Sequence, residues 1–334
     1  MFARGCNTML TDKRILITGG AGFLATSLTA QLKDRAVHLV RVDRPGTPFP
    51  VLPGPASISD VEADITAPDA WDRLLDGVDV VFHLAAQTSV YVADEQPRAD
   101  LDINVLPVLN LIETCRRRGW QPAVIMAGTV TQCGLAPRLP VDESCADRPI
   151  TVYDLHKLMA ESYLRQFAAK SVVCGCCLRM ANLYGPGPKS SRADRGVLNL
   201  MVRKALAGEP LTVYGDGMHL RDYLYVDDAA SAFVAAAEHR ERLSGQYFVI
   251  GTGTGHTIRD AFGLVAERVA ARTGRRAAVQ HVTPPASLSP IEERDFVADS
   301  RRFIGLTGWQ PSVALSDGID RTIEWVLGQG DKRG

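Results

Sequence analysis

An excess of either charge, a long apolar run and an even cysteine framework are all missing from this chain. Lys and Arg number 37 against 38 Asp and Glu, a formal net charge of −1. So even a balance leaves no electrostatic footprint for a general nucleic-acid binder or for an anionic membrane surface. No apolar run approaches the ~20 residues that span a bilayer, so no membrane partner is expected. The opening MFARGCNTML holds no apolar stretch long enough for a secretory signal. The ordered pattern begins just after Met9, which makes that residue a candidate start. Hydrophobic residues are 46% of the chain and charged residues 22%, which excludes a disordered, collagenous or coiled-coil protein. The 334 residues suffice for roughly two domains of ~150 residues.

Cysteine is present but not in a disulfide pattern. There are seven, an odd number, and Cys174, Cys176 and Cys177 crowd into SVVCGCCLRM. No second ligand pair stands at metal-site spacing, and the flanking residues read as a buried strand in which Cys serves as a small hydrophobe. No metal is expected, and reduced thiols suit a cytoplasmic protein.

Short apolar runs alternate with amphipathic stretches along the first half. RILIT (Arg14 to Thr18), VHLVRVD (Val37 to Asp43), Val61 to Asp64, VDVVFHL (Val78 to Leu84), AVIMA (Ala123 to Ala127) and Ser171 to Leu178 read as six strands. Helical patterns run to about Lys33, from about Arg98 to Arg118 and from Tyr153 to Ala169. Such alternation predicts an α/β fold, a parallel sheet with helices on both faces, and strands without strict alternation fit burial on both sides. After Arg179 the rhythm changes. NLYGPGPKSSRADRG is rich in turn formers. A helix from Val197 to Ala207, a strand from Leu211 to Tyr214, and helices from Asp227 to His239 and Thr257 to Thr273 follow. This predicts a nucleotide-binding domain over 10–180, with segments returning from about 225–255, and a smaller substrate domain mainly over 181–330.

TGGAGFLA, Thr18 to Ala25, falls where the first strand turns into the first helix. A pyrophosphate can approach a backbone only where side chains are absent, and a helix N-terminus offers it free N–H groups. Gly19 and Gly22 fit these roles, and Ala25 stands where tight helix–strand packing is needed. Asp43 ends the second strand about 20 residues on, where an acid accepts from the adenosine ribose 2′-hydroxyl and favours NAD over NADP. Arg44, beside it, could accommodate a 2′-phosphate. Asp64 and Ile65 are candidates to flank the adenine.

Tyr153 and Lys157 are four residues apart on a predicted helix and share one face. A free Tyr, with a pKa near ~10, is a poor base; a neighbouring ammonium stabilises its phenolate. Such a Tyr can take a proton from a hydroxyl while the carbon gives up hydride. Thr129, just beyond AVIMA, supplies a positioning hydroxyl.

These residues together resemble the extended short-chain dehydrogenase/reductase family, in its nucleotide-sugar epimerase/dehydratase group. The likeness spans nearly the whole chain through TGGAGFLA, Asp43, HLAAQ, INV around Asn104, GTVTQCG, YDLHK, LRMANLYGPG and VYGDGMHLRDYLYVDD. The resemblance implies a Rossmann-type doubly wound parallel sheet with a smaller C-terminal α/β substrate-binding domain, and NAD as cofactor. It implies catalysis by Thr129, Tyr153 and Lys157. It places the dinucleotide along Gly19, Gly22, Phe23, Leu24, Asp43, Arg44, Asp64, Ile65, Leu84, Ala85, Ala86, Gln87 and Asn104, with Tyr153 and Lys157. A nucleotide-diphosphate sugar would meet Thr131, Asn182, Val197, Leu198, Tyr214, Arg221 and Arg294, the arginines suiting phosphate. The family also implies a homodimer through a four-helix bundle, to which Leu106, Leu109, Tyr163 and Phe167 could contribute.

Dehydratases of the family carry an Asp-Glu pair after the Thr, whereas Val130 and Thr131 stand here. Redox at C4 without elimination is therefore expected, an epimerase working through a transient 4-keto sugar. The same residues would serve an NAD(P)H-dependent 4-ketoreductase, and a non-catalytic dinucleotide-binding protein is a third reading. Ala127, Gly128 and Cys133 depart from the usual Ser-Ser and Tyr, and His156 from the usual Ser, which suggests a modified hexose. Cys133 is either a buried small residue or a second acid/base.

Overall fold

The computed structural model describes residues 10–188 and 196–330. Met9 and the stretch of the turn-rich segment from 189 to 195 lie outside the described residues. The first strand shows how the sheet is built. In β1 (Arg14–Thr18), Ile15 and Ile17 point to one face and Leu16 to the other, and all three are fully buried. A strand that is apolar on both faces needs a helical layer on each.

The strands that follow are β2 (His38–Asp43), β3 (Ser57–Glu62), β4 (Val80–His83), β5 (Ala123–Thr129), β6 (Cys174–Met180), β7 (Asn182–Tyr184), β8 (Leu211–Tyr214), β9 (Leu220–Tyr225), β10 (Tyr247–Ile250), β11 (Gly255–Thr257) and β12 (Val279–Val282). The main sheet has seven strands in the order β10-β6-β5-β4-β1-β2-β3, and every pairing is parallel. The order reverses between β1 and β4, the switch point where doubly wound folds leave a crevice.

The helices are α1 (Phe23–Leu32), α2 (Ala70–Leu74), α3 (Val90–Glu95), α4 (Pro97–Asn104), α5 (Leu106–Arg118), α6 (Val152–Ala169), α7 (Val197–Ala207), α8 (Val226–Glu238), α9 (Arg240–Leu243), α10 (Ile258–Thr273), α11 (Arg301–Thr307) and α12 (Leu315–Gly330). One face of the sheet (Ile15, Ile17, Phe82, Ile125, Leu178) packs on α1 and α8, with Phe303 and Trp309. The other (Leu16, Val81, Val124, Met126) packs on Trp71, α5 and α6. Cys176 belongs to the first face and Cys177 to the second. Burial raises both thiols well above their ordinary range. A third cluster joins Tyr184, α7, β8, α10 and Ile319, separate from the first two.

The sequence predicts one helix from about Arg98 to Arg118, but the structure breaks it at Val105. Pro107 has no N–H for residue 103 and its ring crowds that carbonyl, so a new helix starts with Pro in its first turn. The third strand starts earlier than its apolar residues suggest. It is a largely exposed edge, SISDVE, whose pairing with β2 is carried by backbone and by Arg41, which forks onto Asp60 at 2.7 and 2.8 Å.

Candidate active site

The glycine turn is shaped by contact and by backbone angle. Gly19 has φ +67°, and a Cβ there would lie 2.9 Å from the Cα and N of Ala85. A Cβ at Gly22 would meet the Gly19 carbonyl at 2.9 Å. The cradle between β1 and the end of β4 is therefore open only because both residues lack side chains. Above it, α1 begins without a side-chain cap and without an acid in its first turn. Its opening amides, Phe23 and Leu24 among them, have no intrahelical acceptor and form the positive end of the helix dipole. This turn fits the pyrophosphate of a dinucleotide.

Asp43 closes the turn from β2. Its carboxylate accepts from the Ala21 amide at 3.1 Å and from the Arg44 amide at 2.8 Å, while the Arg44 side chain is exposed. Asp64 is exposed and accepts from the Thr66 amide at 2.9 Å; the carbonyl of Ile65 accepts from Trp71 at 2.8 Å. Across the crevice, Thr18 Oγ1 accepts from Leu84 and Ala85 amides at 3.1 and 3.2 Å. Its own proton is then left for His83 Nδ1, 3.0 Å away. Burial, with the Lys157 charge second, holds His83 down to about 3, so it is neutral. Ala86 follows at the half-buried end of this segment.

Behind Lys157 lies a buried polar knot. Asp100, fully buried, accepts from Gln87 at 2.6 Å and Asn104 at 2.9 Å, and pairs with His156 Nδ1 at 2.7 Å. Asn104 also donates to the Gln87 carbonyl at 3.0 Å, and its Oδ1 has no partner among the described residues. Lys157 is 3% exposed; burial pulls its ammonium below the ordinary range, against the opposing pull of Cys177, Asp100 and Glu161.

Thr129 ends β5 and caps the short 3-10 turn that follows. Its amide donates to Gln132 at 3.1 Å, Gln132 donates to Glu161 at 2.9 Å, and Arg179 forks onto Glu161 at 2.8 and 2.7 Å. Arg179 also reaches Asp147 at 2.5 Å. Thr129 Oγ1 lies 2.8 Å from Thr131 Oγ1, which is hydrogen-bonded to Asp154 Oδ1. Thr151 caps α6 through the Asp154 amide at 3.1 Å, an interaction worth ~1 kcal/mol. Tyr153 and Lys157 are both buried on this helix. Cys133 is buried with Sγ 3.0 Å from the Val130 carbonyl, and burial pushes its thiol up to about 12. It is not a thiolate.

The second cluster joins β7, β9 and the segment after β12. Arg221 and Arg294 are 3% and 8% exposed. Arg221 donates to the carbonyls of Arg294, Leu220 and Glu292. Burial first, and Arg294 second, pull Arg221 down to about 10. Arg294 donates to the Ile291 carbonyl at 2.8 Å and to Asn182 at 3.4 Å, and its Nε is buried without a partner among the described residues. The carboxylate shared by both guanidiniums is Glu292, at 3.5 and 3.7 Å. Val197 and Tyr214 are exposed, whereas the Leu198 side chain is buried in the third core cluster.

Thus most of the residues singled out in the sequence form four groups: the glycine turn with Asp43 and Leu84 to Ala85, Gln87 and Asn104 around Asp100, the Thr129–Thr131 pair beside α6, and Asn182 with the two arginines. Asp154, Asp100, Glu161 and Arg179 were not singled out. Tyr153, Lys157 and Glu161 at i, i+4 and i+8 on one helix face are the signal that could have found Glu161.

The NAD dependent epimerase/dehydratase family matches residues 15–251. The UDP-glucose 4-epimerase of Mycolicibacterium smegmatis is 30% identical over 317 residues, 93% of this chain and 98% of the relative. The GDP-6-deoxy-D-mannose reductase of Pseudomonas aeruginosa is 29% identical, over 92% of this chain and 95% of its own length. The Thermus thermophilus UDP-glucose 4-epimerase solved in complex with NAD superposes with a TM-score of 0.81 at 30% identity, covering 94% of this chain and 99% of that one.

Proposed function

Because the chain belongs to the NAD dependent epimerase/dehydratase family, we propose that it inverts C4 of a nucleotide-linked sugar through a transient 4-keto state. What supports this reading is a turn that excludes side chains, a buried Lys157 one turn from a buried Tyr153 on α6, and a Thr129 hydroxyl tied through Thr131 to Asp154 of the same helix. Gly19, Gly22, the first-turn amides of α1 and Asp43 would hold NAD, which would supply a reversible hydride acceptor. Tyr153 takes the proton of the C4 hydroxyl and returns it. Lys157 keeps the phenolate form accessible, since its ammonium is buried rather than solvated. Thr129 positions the sugar oxygen. Arg221 and Arg294 hold the diphosphate, whose charge would complete a cluster that has two guanidiniums to one half-exposed Glu292. The sugar can turn about this anchored diphosphate between the two hydride transfers.

The protein is further proposed to be a homodimer, packing α5 and α6 on a second copy. Leu155 and Tyr163 on α6 are exposed large apolar residues, which fits such a face. Its free cysteines among the described residues suit a reducing cytoplasm, and no helix of the described residues is long and apolar enough to cross a membrane.

The test is to denature the purified protein, identify the released nucleotide by mass and absorbance, and assay conversion of UDP-glucose to UDP-galactose. Bound NAD(H) with conversion is expected, falling ~10²–10⁴-fold in Tyr153→Phe. Near-normal turnover in that variant would overturn the assignment. Protein carrying mainly NADP(H) would favour a 4-ketoreductase.

A further inference from the structure

The Thr131–Asp154 contact has no part in the chemistry above. Asp154 is fully buried on the first turn of α6, next to Tyr153. One carboxyl oxygen is bonded to the Thr131 hydroxyl, and the other, Oδ2, is buried with no partner among the described residues. We propose that Asp154 is a positioning residue which, as a neutral carboxylic acid, heads a hydrogen-bond chain through Thr131 to Thr129 and turns the Thr129 proton toward the sugar oxygen. This role rests on the reading of Thr129 as the hydroxyl that meets substrate.

Direction is what matters in such a chain. Each hydroxyl has a single proton, so the end of the chain sets the sense of every bond in it. A carboxylate can only accept. Thr131 must then donate to it, and Thr131 Oγ1 in turn draws the proton of Thr129 inward across 2.8 Å. A carboxylic acid can donate instead. Thr131 then donates to Thr129, and the Thr129 proton is free for the pocket. Both the alcohol and the ketone of the proposed reaction offer an oxygen that accepts such a proton.

The surroundings move Asp154 toward the neutral form, which it holds below about pH 6. A buried charged oxygen without a donor is costly, and burial raises the Asp154 carboxyl to about 6. The Thr131 and Thr151 hydrogen bonds and the Arg294 charge oppose this rise without cancelling it, and Asp94 on α3 adds to it. The other charges around α6 are engaged elsewhere: Asp100 of α4 with His156, and Arg179 of β6 with Glu161 and Asp147. Lys157, one turn on, is buried and its ammonium is itself held down by burial.

Two measurements test this. The first is an infrared titration of the protein as purified, wild type minus Asp154→Asn, following the carboxylic C=O band with no substrate present. A band that titrates at or above about 6 supports the proposal; loss of the band in the ordinary carboxylate range, near ~4, overturns it. The second is the pH profile of kcat/KM on UDP-glucose. Wild type should lose activity about tenfold per pH unit on the alkaline side of the same group. Asp154→Asn, whose amide can still donate, and Thr131→Val, which cuts the chain, should both lack that limb, while Thr131→Ser restores it. A limb that persists in both variants, or is missing from wild type, overturns the proposal. Near-normal turnover in Tyr153→Phe would remove the catalytic reading and leave the infrared result standing on its own.

Discussion

The two sides of the crevice handle buried charge in opposite ways. Around α6, Asp154 Oδ2 apart, the buried charged groups are answered from within the protein: Asp100 by Gln87, Asn104 and His156, and Arg179 by Glu161 and Asp147. Across the crevice, Arg221 and Arg294 are almost as deeply buried, yet their donors go mainly to backbone carbonyls and their common carboxylate is half exposed. The contrast separates two requirements. Groups that must hold one geometry are tied into closed networks, because a partly satisfied network is costly in low dielectric. On the function proposed here, the two arginines that would receive an anion are left short of negative charge for a ligand to complete.

The largest effect is expected from breaking the closed side. Glu161→Leu would leave Arg179 with the Asp147 carboxylate and the Tyr247 ring, and removing one partner of a buried pair costs about 3–5 kcal/mol. The midpoint of urea unfolding measures it. An unchanged midpoint would mean that the network is not closed.

Next comes acidification. His83 in the unfolded chain takes a proton near ~6.5, but in the folded protein burial delays this to about 3. The unfolded state therefore binds more protons in that window, and stability falls as pH drops through it, by about 1.4 kcal/mol for each pH unit crossed. Stability measured against pH should fall more steeply by this amount in wild type than in His83→Phe, where only the shifted carboxylates such as Asp72 and Asp142 remain.

The smallest change in stability belongs to the open side. Arg294→Met should leave the unfolding midpoint unchanged or raise it, since a buried donor without a partner disappears. The same change should weaken nucleotide-sugar binding by about 1.5–3 kcal/mol, the worth of hydrogen bonds to a charged group, read as a higher KM with little change in kcat. A large loss of stability would erase the contrast.

The same contrast explains what could be read from sequence. The strand Arg14–Thr18, the strand Leu211–Tyr214 and the helix Val197–Ala207 agree residue for residue with the sequence reading, because burial or capping glycine writes them locally. The family, the fold class and the use of NAD were also legible, since TGGAGFLA and YDLHK carry their spacing along the chain. What was not legible is what depends on contacts between distant segments. Asp154 meets Thr131 from 23 residues away and Glu161 meets Arg179 from 18, and no periodicity announces either. The edge strand Ser57–Glu62 begins ahead of its expected place because it carries few apolar residues. β12 and α12 escape a reading of the sequence altogether.

The late arrival of β10 bears on how the chain is made. β6 ends at Met180 and its outer neighbour begins at Tyr247, with all of α7 to α9 emerging between them. At ~5–20 residues per second, a nascent chain spends several seconds with β6 as the edge of an unfinished sheet. That edge is CGCCLRM, apolar and without proline, the kind of strand that templates pairing with another chain. Only when Tyr247–Ile250 zips onto Cys177–Met180 is the hazard closed. Slowing initiation or lowering temperature during expression should therefore raise soluble yield, and a fragment ending before residue 247 would carry the exposed edge permanently.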